Sequence, residues 1–102
     1  MFLVQILLPL YANNRQLFPD ELYEEVRETL TERFGGVTAY QRSPALGHWK
    51  QTDVVVVRDD IVVFEVMLEE LDRLWWADYR EQLRQTFQQE KLIVRALPVE
   101  LL

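Results

Sequence analysis

The chain has 102 residues, a formal net charge of −6 and no cysteine. That length suits one domain, residues 1–102, built around one core. Without thiols there is no disulfide scaffold, no cysteine nucleophile and no thiolate metal site, and the acidic balance argues against nucleic acid or anionic lipid as partners.

The N-terminal run "FLVQILL" reads as a strand, apolar on both faces except at Gln5, and Pro9 is expected to end it. As an export signal it is poor, because no basic residue precedes it and Pro9 interrupts the region. It is far too short to span a bilayer, and a cytoplasmic location is the expectation. The next segment, "NNRQLFPDELYEEVRETLTERFGG", predicts a helix. Pro19, Asp20 and Glu21 suit the first turn, and Gly35 and Gly36 supply the stop. Leu22, Val26, Leu30 and Phe34 make one stripe to bury, with Tyr23 beside them. Glu24, Glu25, Glu28 and Glu32 lie on the other face; a basic partner is one use for them, and a solvated face is the plainer reading.

"VTAYQ" predicts a short second strand, and "RSPALGHWKQT" a loop. "DVVVVRDDIVVFEVMLEE" holds two β-branched runs around Arg58, Asp59 and Asp60, the pattern of a hairpin. "LDRLWWADYREQLRQTFQQE" predicts a second helix with Leu71, Trp75, Tyr79, Leu83 and Phe87 on its buried face and Trp76 at the edge. "KLIVRAL" is the last strand, closed by Pro98, before an apolar "VELL" tail.

The resulting fold class is α+β, ferredoxin-like βαββαβ. It has a four-stranded antiparallel sheet with two helices on one face, and room for an extra β-hairpin extension. On this element order the chain resembles the dimeric α+β barrel group, in which two such sheets pack open face to open face. No motif specific to one family accompanies the resemblance, and the superfold hosts many functions.

Period-two splitting of the strands gives the resemblance a physical basis. Phe2, Val4, Ile6 and Leu8, with Val62, Phe64, Val66 and Leu68, and with Leu92, Val94 and Ala96, form an apolar side for the helices. The opposite side is apolar too, except for Gln5, Glu65 and Arg95. A solvated sheet face is mostly polar. This one predicts a cover, most simply an identical sheet, and hence a homodimer or higher homo-oligomer.

Because the topology puts the first strand between the third and the last, Gln5, Glu65 and Arg95 are expected in one row. Gln5 would bridge the two charges, with Tyr40 or Arg42 joining from the second strand. Such a row in apolar surroundings fits a small-molecule site and equally a network that fixes strand register. His48, the single histidine, sits on the loop beside Trp49 with no defined carboxylate partner, nucleophile or second metal ligand. Packing is the favoured role for that loop. The candidate ligand-binding set is therefore Gln5, Tyr40, His48, Glu65 and Arg95, with no catalytic residue, metal or cofactor assigned. A non-catalytic module binding a small ligand or a protein is the leading function. A small cofactor-independent enzyme, monooxygenase- or isomerase-like, is the alternative implied by the barrel resemblance. Amino-acid sensing in the manner of ACT-like domains rests on fold analogy alone.

Overall fold

Four strands and two helices follow one another in the computed structural model, which describes residues 1–42 and 60–102. They are β1 (Phe2–Pro9), α1 (Asp20–Phe34), β2 (Thr38–Arg42), β3 (Ile61–Leu68), α2 (Arg73–Thr86) and β4 (Ile93–Pro98). Every strand pair is antiparallel, in the sheet order β2-β3-β1-β4. This is the ferredoxin-like arrangement expected from the sequence. One arm of the expected hairpin is β3; its other arm, residues 53–57, lies outside the described residues.

Two helix ends show how local chemistry sets the boundaries. Gly35 closes α1 in the left-handed region, with φ 82°, and its amide donates to the Thr31 carbonyl. Asp72 caps α2 by accepting the Trp75 amide at 3.1 Å. Arg33 ties the two ends together. It lies over the Trp75 ring at 4.4 Å and approaches the Asp72 carboxylate at 3.6 Å. Pro9 ends β1 as expected: it is the strand's last residue, opposite Ile61. Leu10 takes over as donor, to the Asp60 carbonyl, so the missing proline N–H costs the ladder little at that end.

The core lies between the helices and one face of the sheet. Val4, Ile6 and Leu8 of β1 and Phe64, Val66 and Leu68 of β3 meet Val26 and Leu30 of α1 and Trp76, Tyr79 and Leu83 of α2. Phe87 closes the far end, edge-on to Phe18 at 5.0 Å. One assignment within α2 is corrected. Trp76 is the buried indole, whereas Trp75 is half-buried against the core. The buried face follows Trp76, Tyr79, Leu83 and Phe87, an i, i+3, i+7, i+11 series, which puts Trp75 on its rim.

Candidate functional site

The open face of the sheet carries the predicted row, and its register accounts for the row's position. Gln5 stands directly opposite Glu65 on one side and Arg95 on the other. Side chains directly opposite across antiparallel strands are close enough to interact. Arg95 Nε donates to Gln5 Oε1 at 2.7 Å, and Gln5 Nε2 donates to Glu65 Oε2 at 2.6 Å. Tyr40 reaches the same oxygen diagonally, its hydroxyl donating at 3.1 Å. The four residues thus form one hydrogen-bonded chain across all four strands.

Its donors converge on one acceptor. The Arg95 guanidinium donates through Gln5 from one side and the Tyr40 hydroxyl donates from the other, both ending on the Glu65 carboxylate. Gln5 is suited to the middle because an amide has both an acceptor and donors. Glu65 and Arg95 are thus linked through Gln5, and no direct ion pair joins them among the described residues. Within one chain the row is also more open than expected: Gln5 and Glu65 are half-buried, while Tyr40 and Arg95 are exposed.

Around the row the face stays apolar. Leu3, Leu7 and Ile61 are half-buried, and Val63 is buried between its strand partners Leu7 and Tyr40. Met67, Ile93 and Leu97 remain 48%, 46% and 39% exposed, while the other face buries Val4, Ile6, Leu8, Phe64, Val66 and Leu68. Of the predicted site residues, Gln5, Tyr40, Glu65 and Arg95 are brought together. His48 and Trp49, within residues 43–59, lie outside the described residues, as does the side chain of Arg42.

Among the described residues no group of three or more His, Asp or Glu side chains is placed to hold a metal ion, and no helix is long and apolar enough to cross a membrane. Sequence reasoning passed over a cavity of about 230 Å³ on the other side of the sheet, between α2 and β4. Arg73 and Arg80 of α2 and Arg95 of β4 are among the residues that line it.

No protein-family model matches the chain, and no curated protein matches it significantly in sequence. Among solved structures, a phage SAM lyase in complex with S-methyl-5′-thioadenosine has a similar fold. Its TM-score is 0.61 at 17% identity, over 94% of this chain and 79% of the other. At that identity the likeness concerns the fold alone.

Proposed function

We propose that this chain is a cytoplasmic, non-catalytic homo-oligomeric module of the dimeric α+β barrel type, holding a small ligand at its open sheet face. The observation that carries the reading is the Tyr40–Glu65–Gln5–Arg95 row set in an apolar surround. A face meant for water would be mostly polar along each strand, whereas β1, β3 and β4 each place a single polar residue, Gln5, Glu65 and Arg95, near the middle of this one. Covering the face removes Met67, Ile93 and Leu97 from water, and it strengthens the row by excluding competing solvent. Few, well-placed polar groups within apolar walls are also what orients a small ligand.

Sedimentation velocity at micromolar concentration is expected to give a dimer or larger species. Met67→Glu combined with Leu97→Glu should convert it to a folded monomer, because each buries an unpaired charge in the interface. A wild-type chain that sediments as a monomer overturns the reading.

A second reading is enzymatic, with Glu65 as the reacting carboxylate. It draws on the phage lyase of similar fold and on the position of Glu65, which accepts two hydrogen bonds on the open face. Titration with S-methyl-5′-thioadenosine separates the two. Saturable binding lost in Glu65→Gln favours a lyase-like site, and no binding leaves the assembly module.

A further inference from the structure

We infer that, when the open face is covered, Arg95 of each copy pairs with Glu65 of a neighbouring copy, so that the polar centre of the face belongs to two chains. Such a pair rests on the assembly reading above and gives it a direction. The row has two unlike ends. Arg95 engages Gln5 through its Nε, and its two terminal nitrogens donate to nothing among the described residues. Glu65 accepts from Gln5 and Tyr40 at Oε2, and its Oε1 accepts nothing among the described residues.

An exposed arginine without an ion pair is ordinary in a single chain. Arg95 differs because of the face on which it stands. Ile93 and Leu97 flank it along β4, so a cover that removes them from water removes the guanidinium too. A charge taken out of water needs a partner of opposite sign. Among the described strand residues of this face, Glu65 is the one carboxylate. The Glu65 of the same chain stands two strands away and is already reached through Gln5. A facing sheet lies about 10 Å off, a gap that an arginine and a glutamate side chain bridge together.

Charge also decides how the copies face each other. A two-fold axis along the row sets Arg95 on Arg95 and Glu65 on Glu65, which buries like charges together. An axis along the strands, or a closed head-to-tail ring, sets the guanidinium end of one row on the carboxylate end of the next. Glu65 is then held by Tyr40 and Gln5 of its own chain and by the neighbour's guanidinium, and a ligand at that carboxylate touches two chains. At dilutions where the chain is monomeric, the link through Gln5 is what remains between the two charges.

The test mixes chains of opposite polarity at a concentration where wild type associates, with one partner ¹⁵N-labelled and the species counted by native mass spectrometry. A chain carrying Glu65→Arg with Arg95→Glu keeps both charges but exchanges their places. It should associate with itself within about tenfold of wild type. Mixed species with wild type should fall at least about tenfold below the statistical share, because like charges meet at every mixed contact. Free mixing overturns the proposal, since a pair confined within each chain is indifferent to its neighbour. Preferential mixing overturns it as well, since like ends of the row would then be in contact. A second pair of variants makes the result independent of whether the exchanged chain folds. Glu65→Gln and Arg95→Met, each checked for folding by circular dichroism, should each weaken self-association by at least about tenfold. Mixed together, they should bind each other at least about tenfold more tightly than either binds itself, because Arg95 of one meets Glu65 of the other. No gain on mixing overturns the pairing. A monomeric wild-type chain in the same measurement overturns the assembly reading and the pairing together, whereas free mixing of associated chains overturns the pairing alone.

Discussion

The two faces of the sheet are built from the same strands by the same alternation, yet they reach different ends. On one face, Val4, Ile6, Leu8, Phe64 and Val66 are almost completely removed from water by two amphipathic helices. On the other, side chains of similar hydropathy stop half-exposed, and the polar residues among them are joined in one chain of hydrogen bonds. Burial at the centre of the first face is nearly complete within one chain. On the second it stops part-way, and the row at its centre supplies direction where the apolar residues supply only area. Hydrophobic area is indifferent to orientation, whereas a donor-to-acceptor chain from Arg95 to Glu65 has one register that works.

The comparison breaks most sharply if large side chains are truncated on each face in turn. Phe64→Ala should cost about 3–5 kcal/mol in chemical denaturation, because it removes a 1% exposed ring from the middle of the core and leaves a cavity. Met67→Ala, on the same strand and the opposite face, should cost under about 1 kcal/mol in a folded monomer, since nearly half of that side chain is already in water. Its effect should grow with protein concentration if the face is covered by a second copy. Equal and concentration-independent losses at both positions would mean that the faces do not differ in the way described.

Most of this architecture was legible because it depends on short-range rules. Period two placed Phe64 and Glu65 on opposite faces, and the connectivity alone put β1 between β3 and β4. Those two steps sufficed to align Gln5 with Glu65 and Arg95. What period and connectivity do not carry is rotation about a helix axis and depth of burial. The choice between Trp75 and Trp76 turned on a small rotation of α2, set by its packing on Phe34, whose ring stacks on Trp76 at 5.2 Å. The exposure of Arg95 likewise depends on β4 being an edge strand with a single partner, a consequence of the whole sheet. The α2–β4 cavity was invisible for the same reason: it arises from the gap between a helix and a strand, which no linear pattern encodes.

A double-mutant cycle examines the role of Gln5 as the connection. Glu65→Gln and Arg95→Met are expected to couple by about 1 kcal/mol, a modest figure because solvent screens the exposed guanidinium. Repeated in a Gln5→Leu background, the same cycle should give a coupling near zero, since the two charged groups touch only through the amide. A coupling that survives Gln5→Leu would show that Glu65 and Arg95 interact directly, and the bridge would be incidental.

The smallest effect belongs to the edge of the covered face, at Tyr23. Its hydroxyl donates to the Pro9 carbonyl at 2.6 Å, fastening α1 to the end of β1. Burial, with the Asp20 carboxylate adding to it, pushes the phenol up to about 12 from its ordinary value of 10.0. A raised phenol favours the protonated form in the folded state. The associated stability is therefore fully present below pH 10 and is lost as pH rises from there through about 12. Tyr23→Phe should cost about 1 kcal/mol or less at neutral pH, the net value of one hydrogen bond. It should also flatten part of the decline in stability between pH 10 and 12. Tyr79 is raised to about 12 as well, chiefly by burial, so the variant removes one of two contributions and not the whole slope. Denaturation midpoints at pH 8, 10 and 11 for the two proteins, with absorbance at 295 nm to follow phenolate formation, measure the difference. Parallel pH profiles for wild type and Tyr23→Phe would show that the Tyr23–Pro9 contact does not hold α1 against the sheet edge in solution.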